Sequence, residues 1–277
     1  MTTTRPALLA LALALALPAA ARGGDGPIQD NSFLLEEAYN QEPGVIQHIS
    51  AFSRASAAPN AWVYTFTEEW PVRGQTHQAS VTLAFNDFRA GDTRGLGDVL
   101  LNYRWQAVGN GEEAVALAPR LSLALPTGDE KKGLGSGAAG VEVNLPLSVV
   151  LAPTLVTHVN LGGRYTPSAA IGPLKADLTT WFFGQSFIWL AHSNFNVMLE
   201  AIYSSSEARG DGFTGRTESL FVNPGVRAAI DVGDLQIVPG LAFPIGVGPS
   251  RGDKAVFLYL SLEHPFRLAG PTEPEKT

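Results

Sequence analysis

From about residue 60 onward, apolar and polar side chains alternate with a period of two, the pattern of strands with one greasy and one polar face. In residues 114–125 one face carries Val115, Leu117, Pro119, Leu121, Leu123 and Leu125, and the other Ala114, Ala116, Ala118, Arg120, Ser122 and Ala124. In residues 98–106, Val99, Leu101, Tyr103 and Trp105 oppose Asp98, Leu100, Asn102, Arg104 and Gln106. The same split recurs along the chain and predicts twelve strands, at 44–54, 61–71, 77–87, 97–107, 113–125, 138–149, 154–165, 176–190, 195–204, 217–231, 235–245 and 254–266. Soluble strands average about 5–6 residues, whereas strands that cross a bilayer need about 9–11. Most of these runs reach the longer figure, and an even number is what bacterial single-chain barrels require. The expected fold is therefore all-β: a membrane-spanning, antiparallel, up-and-down β-barrel of about twelve strands.

The connections support this reading. Outer-membrane barrels alternate short periplasmic turns with longer external loops. After even strands the connections are short: residues 108–112, 150–153, 191–194 and 232–234. After odd strands they are longer and rich in Gly, Asp and Lys, at 126–137, 166–175, 205–216 and 246–253. The Gly-rich stretch 133–140 has no phosphate-loop lysine and reads as a flexible external loop. Trp62, Trp70, Tyr103, Trp105, Tyr165, Trp181 and Trp189 stand near strand ends, where a girdle of amphipathic rings marks a bilayer interface. Pro119, Pro224 and Pro239 run against the pattern, because proline removes a ladder hydrogen bond, and are expected at bulges.

The start of the chain is an address. Arg5 precedes an Ala/Leu run from Ala7 to Leu17, Pro18 breaks it, and Ala19-Ala20-Ala21 gives a small-residue cleavage pattern before Arg22. That run is shorter than the roughly 20 residues of a spanning helix. The expected organisation is a cleaved signal peptide over 1–21, a leader or plug segment over 22–43, the barrel over 44–266 and a tail over 267–277, in the outer membrane of a Gram-negative bacterium. Only 16% of the residues are charged, against roughly a quarter in an average soluble domain. With 19 basic against 26 acidic residues and no basic cluster, nucleic acid is not an expected partner. The absence of cysteine excludes disulfides, thiolate metal sites and a cysteine nucleophile.

Four stretches resemble a known family: residues 30–48 (DNSFLLEEAYNQEPGVIQH), 95–106 (GLGDVLLNYRWQ), 119–129 (PRLSLALPTGD) and 140–148 (GVEVNLPLS). They are similar to outer-membrane proteins grouped with the meta-pathway of phenol degradation. The resemblance covers most of the chain in order and implies a barrel that transports aromatic or other hydrophobic compounds. It carries no functional residue that maps onto this sequence.

The polar faces nominate Asp98, Asn102, Arg104, Arg120, Glu142, Asn144, His158, Asn160, Arg164, Glu200, Asn223 and Arg227 as lumen-facing. A charge on the lipid face at mid-depth costs about 2–4 kcal/mol, which fixes that direction. Such residues either line a pore or pair off and fill a narrow barrel. A ring of Arg104, Arg120, Arg164 and Arg227 facing Glu142 and Glu200 is locally positive unless Glu36 and Glu37 lie against it. Leu100, Phe182 and Ile188 offer an inward apolar track. The segment 30–42 does not alternate and is either a periplasmic leader or a plug made by Glu36, Glu37, Tyr39, Asn40, Gln41 and Glu42. The favoured function is a non-enzymatic channel for small apolar or aromatic solutes, in contact with outer-membrane lipids and needing no cofactor. Two alternatives stand beside it. One is an outer-membrane lipid hydrolase in which His48 and Ser50, two apart on one strand face, act as base and nucleophile. The other is a secreted non-enzymatic β-protein. The five histidines show no metal-ligand spacing.

Overall fold

A computed structural model describes residues 28, 30–56, 61–88, 93–110 and 112–266; the expected signal peptide at 1–21 and tail at 267–277 lie outside the described residues. The elements in chain order are β1 (Val45–Ala55), β2 (Trp62–Arg73), β3 (His77–Asp87), β4 (Arg94–Leu96), β5 (Val99–Trp105), β6 (Val115–Leu117), β7 (Arg120–Leu125), β8 (Gly140–Ala152), β9 (Leu155–Ile171), β10 (Leu174–His192), β11 (Phe195–Gly210), β12 (Phe213–Ala228), β13 (Ile230–Val232), β14 (Leu235–Ala242), β15 (Ile245–Gly246) and β16 (Ala255–Pro265). All pair antiparallel in one sheet, which β16 closes by joining β14 to β1, while β14 also pairs with β12. Four staves of the wall are broken in two (β4/β5, β6/β7, β12/β13 and β14/β15), so the closed barrel has 12 strands.

Register keeps each face continuous. Leu101 lies opposite Leu123, and Leu123 opposite Val141, all exposed on the outer surface. One residue along, Asn102, Ser122, Glu142 and Arg164 follow one another around the inside. A slip by one residue would exchange the two sets, so the alternation itself pins the pairing. Leu121, Val143, Leu145, Leu161, Phe183, Phe187, Trp189 and Leu199 continue the exposed apolar surface, which is far too extensive for a surface in water and suits a hydrocarbon solvent.

Two expectations about connections are corrected. Residues 166–175 and 205–216 are not loops: β9 and β10 continue to a two-residue turn at Gly172-Pro173, and β11 and β12 to one at Asp211-Gly212. Gly172 (φ 59°) and Gly212 (φ 78°) take the left-handed backbone those turns need. Beyond the apolar band both faces meet water, so the alternation fades while the hydrogen-bond ladder carries on. Residues 126–139 do form a loop, yet not a free one. Asp129 caps a short 3-10 turn at Glu130–Lys132, and Lys132, 3.1 Å away, holds its carboxyl below the usual range. Leu134 in the same loop is buried.

The prolines also differ from expectation. Pro119 sits at the break between β6 and β7, its carbonyl accepting from the Trp105 amide at 3.0 Å. Pro239 lies within an intact pairing, and around Pro224 the ladder pauses and resumes in unchanged register, from Val222↔Ile245 to Gly225↔Ala242. The shifts in register fall at Pro71/Arg73, Val150/Ala152, Ala176/Leu178 and Trp189/His192.

The chain enters β1 and leaves β16 at the barrel end that carries the short turns. An epitope inserted between Lys131 and Lys132 is therefore expected to be labelled on intact cells, and one beside Asn110 only after permeabilisation. The reverse pattern would mean the barrel is inserted the other way up.

Candidate functional site in the barrel interior

An extended chain has amides and carbonyls at every residue, and burying them without partners costs about 1–3 kcal/mol each. Residues 30–42 form no helix or strand, and most of them are buried inside the barrel. Much of their backbone is bonded to side chains of the wall. The amides of Leu34, Glu36, Ala38 and Asn40 donate in turn to Glu200 (3.1 Å), Asn160 (3.0 Å), Ser148 (2.8 Å) and Gln106 (2.8 Å). The step of two reproduces strand periodicity, but each acceptor comes from a different stave: β11, β9, β8 and the end of β5. The Gln41 amide then donates to Gln78 on β3 (2.7 Å), and the Gln41 side chain to Gln47 on β1 (2.6 Å).

The carbonyls of Glu36, Ala38 and Asn40 accept from the side-chain amides of Asn160 (2.7 Å), Gln106 (2.7 Å) and Gln75 (3.0 Å), and those towards the two ends go to two arginines. Arg227 donates to the carbonyls of Asp30 (2.7 Å), Asn31 (2.8 Å) and Ile28 (3.0 Å). Arg104 donates to the carbonyls of Glu37 (3.3 Å) and Tyr39 and to the Asn40 side chain (2.8 Å). Both are almost fully buried, so the segment is clamped at each end by a guanidinium. The apolar contacts are as close. Phe33 packs edge-on against Phe257 and Tyr259, with ring centroids 5.9 and 6.0 Å away. A Cβ at Gly225 or Gly240 would lie 2.4 or 2.5 Å from the Phe33 ring, so these two wall glycines form its seat.

The expected single ring of four arginines facing two glutamates is not what forms. Arg120 and Arg164 share Glu142, and Arg120 also meets Glu36 at 2.8 Å. Arg104 lies 3.7 Å from Glu69 on β2, and Glu200 serves Leu34 and the Asn223 amide nitrogen (2.6 Å) instead of an arginine. Backbone carbonyls take the place of carboxylates because the buried segment offers more acceptors than the wall has acids.

Of the other nominated residues, Asn102 donates to Ser80 (3.1 Å), Asn144 to Asn160 (3.0 Å), and His158 is bonded to Ser148 at 2.7 Å with its ring edge against Tyr39. All are buried. Asp98 stands apart: it accepts from the Gly128 and Ser136 amides and the Ser136 hydroxyl, and so fastens the 126–139 loop to the rim. Glu42 is exposed at the mouth, outside the buried set. Sequence reasoning missed Asp30, Gln47, Glu69, Gln78, Ser148, Ser186 and Ser261. Gln47 lies on the inner face of β1, where apolar residues occur on both faces and the alternation is weak. Gln78 stands on the polar face that the alternation of β3 gives, but nothing local marks it or Glu69 as a partner of the segment, and the serines are too small to register in a polarity pattern.

Two cavities flank the segment. One, of about 200 Å³, lies against β1–β7 between Thr65, Thr67, Thr82, Asn102, Arg120 and Glu36. The other, of about 410 Å³, is lined by Leu34, Ile202, Phe221, Pro244 and Ala255 with Ser53 and Ala55, and has Asp253 and Lys254 at its edge. Leu100, Phe182 and Ile188 all fall on the inward register. His48 and Ser50 share the outer face of β1, but they have different partners. The Ser50 hydroxyl is bonded to the Tyr64 hydroxyl (3.1 Å), and His48 lies against His264 (3.2 Å) and Glu68 (3.5 Å).

No family profile matches the sequence, and no curated protein matches it. The fold is similar to the crystal structure of an outer membrane channel from Pseudomonas putida F1, with 15% identity and a TM-score of 0.65 over 83% of this chain and 98% of that one. More remote likenesses are a porin in complex with disordered oligogalacturonate (8% identity, TM-score 0.48, 80% and 99% covered) and a monoaromatic hydrocarbon channel (9%, 0.43, 83% and 90%). At such identities the likeness speaks to the fold, an outer-membrane type of β-barrel.

Proposed function

We propose that the protein is an outer-membrane channel for small apolar or aromatic solutes, with residues 30–42 as its plug. The observation that carries this reading is the cavity of about 410 Å³ under Ile202, Phe221 and Pro244. Its volume lies within the usual range for small-molecule sites, and its walls are almost wholly apolar inside an otherwise polar lumen. A polar pore that passed ions or sugars would gain nothing from such a patch. Leu34 forms its floor and belongs to the segment itself, so displacement of the segment and passage of a solute are coupled in this scheme. The likeness of residues 30–48 and 119–129 to the barrels grouped with the meta-pathway of phenol degradation supports the same solute class.

The test is uptake of labelled aromatic and aliphatic solutes by a deletion strain complemented with the parent or with Ile202→Asp/Phe221→Asp. Burying two carboxylates in the cavity is expected to abolish the gain in aromatic uptake while the barrel still migrates as a folded band on an unboiled gel. Equal uptake of every solute by parent and variant would reject the reading.

A further inference from the structure

The outer surface of the β9–β12 hairpins changes character abruptly. Across the four strands, one row reads Leu161, Phe183, Tyr203 and Leu220, and two residues further along the strands it reads Gly163, Trp181, Ser205 and Glu218. The next row is Tyr165, Thr179, Glu207 and Arg216, and beyond it Asp177 pairs with Arg209. Apolar side chains thus give way to charged ones within about 13 Å, the span of four residues in a strand, with Trp181 and Glu218 in the row between. In a barrel of this kind that boundary is where acyl chains end and headgroups begin.

A concave site lies just above the boundary, enclosing about 420 Å³ between Tyr165, Asp177, Trp181, Glu207, Arg209 and Arg216, with Thr179 and Ser205 at its floor. The hollow exists because Gly163, Thr179 and Ser205 are short between tall neighbours. Trp181 and Tyr203 pack with ring centroids 5.0 Å apart and form its membrane-side lip. The polar groups are held in place. Tyr165 donates to Asp177 at 3.0 Å and Tyr203 to Glu218 at 2.9 Å. Glu207 is gripped by Arg216 at 2.7 Å and by Arg209, which together hold its carboxyl below the usual range. Yet Arg209 and Arg216 remain 75% and 61% exposed, and each gives a single N–H group to Glu207. Two guanidiniums lean on one carboxylate and keep most of their donors for something else.

We propose that this site binds the phosphorylated sugar headgroup of a glycolipid of the outer leaflet. Arg209 and Arg216 would take the phosphate in the bidentate manner that guanidinium favours. Asp177 and Thr179 would accept from and donate to sugar hydroxyls, and the Trp181 ring would receive the apolar face of the sugar. This rests on the reading of the chain as an outer-membrane barrel, but not on what the lumen carries. Glu207 occupies the position the phosphate would take and competes with it for both arginines.

The test uses the folded full-length barrel purified in detergent, its fold checked by unboiled-gel migration, with lipopolysaccharide, enzymatically dephosphorylated lipopolysaccharide and phosphatidylethanolamine as probes. Lipopolysaccharide is expected to co-elute with the parent, and the other two much less. Arg209→Ala/Arg216→Ala should weaken retention at least tenfold, about 1.4 kcal/mol, while Lys131→Ala/Lys132→Ala leaves it unchanged. Glu207→Gln should strengthen retention, because it frees both guanidiniums; a merely structural Glu207 would weaken it. The proposal is overturned if the folded parent does not retain lipopolysaccharide, if the dephosphorylated form binds equally, or if the double arginine variant binds as the parent does. A chain that stays soluble without detergent and gives no heat-shifted band would instead remove the barrel reading on which the site depends.

Discussion

Replacing Arg227 with methionine is expected to free the start of the N-terminal segment and turn a poorly conducting barrel into an open one. The guanidinium holds three carbonyls at the start of that segment, those of Ile28, Asp30 and Asn31, from a side chain that is almost wholly buried. Without it those acceptors lose charge-assisted bonds worth about 1.5–3 kcal/mol each and must find water. Three buried acceptors left without a partner cost about 1–3 kcal/mol each, or about 3 kcal/mol and more together. Borne by the docked state alone, that cost raises the open population about a hundredfold or more, at roughly 1.4 kcal/mol per factor of ten. Two measurements check it. Single-channel conductance should rise, and the thiol of a Ser32→Cys variant should react far faster with a water-soluble maleimide when Arg227→Met is also present. The chain has no cysteine of its own, so the label reports that position alone. Unchanged conductance and unchanged labelling would mean that the segment is held by Phe33 and the amide ladder and that Arg227 is dispensable.

The fold was legible because a membrane barrel writes its architecture as a period of two over long runs, and register then follows from which face is apolar. The longest stretches of strand that went unread are those where that contrast disappears. In residues 166–175 and 205–216 both faces meet water, so the ladder continues without an alternation to announce it. The interior was legible as a set of inward polar residues but not as a network. Arg104 and Arg227 look alike in the sequence to Arg120 and Arg164, and all four suggest partners among the glutamates. What separates them is the path of residues 30–42, which brings carbonyls to the first two and a single carboxylate, Glu36, to the third. No local pattern encodes that path, because the segment has no ladder of its own and borrows its partners from staves more than a hundred residues away, such as Asn160 and Glu200. Asp98 misled for the same reason: its parity on the stave is inward, yet a distant loop supplies the amides it binds.

The same network sets the charge of the path that a solute would follow. The smaller cavity is lined by Arg120, Glu36 and Glu69, and Glu69 faces Arg104. Arg120 and its neighbour Arg164 are matched by Glu36 and Glu142, two against two, and every one of these last four is at least partly screened from solvent. The second carboxylate that balances Arg120 and Arg164 is thus Glu36, which arrives on the segment and not on the wall. Glu36→Gln/Glu142→Gln removes both carboxylates while keeping side-chain volume, leaving two guanidiniums facing each other across a region of low dielectric. Like charges so placed repel, and the charge-assisted hydrogen bonds that are lost are worth about 1.5–3 kcal/mol each. The double variant is therefore expected to fold less stably, with its folded band lost at lower temperature on heating in detergent. In planar bilayers its residual current should shift toward anions. Glu36→Gln alone should shift selectivity less, because Glu142 still bridges both arginines. If the double variant keeps the parent's heat resistance and ion selectivity, then these four residues neither line the conducting path nor help to hold the segment across it.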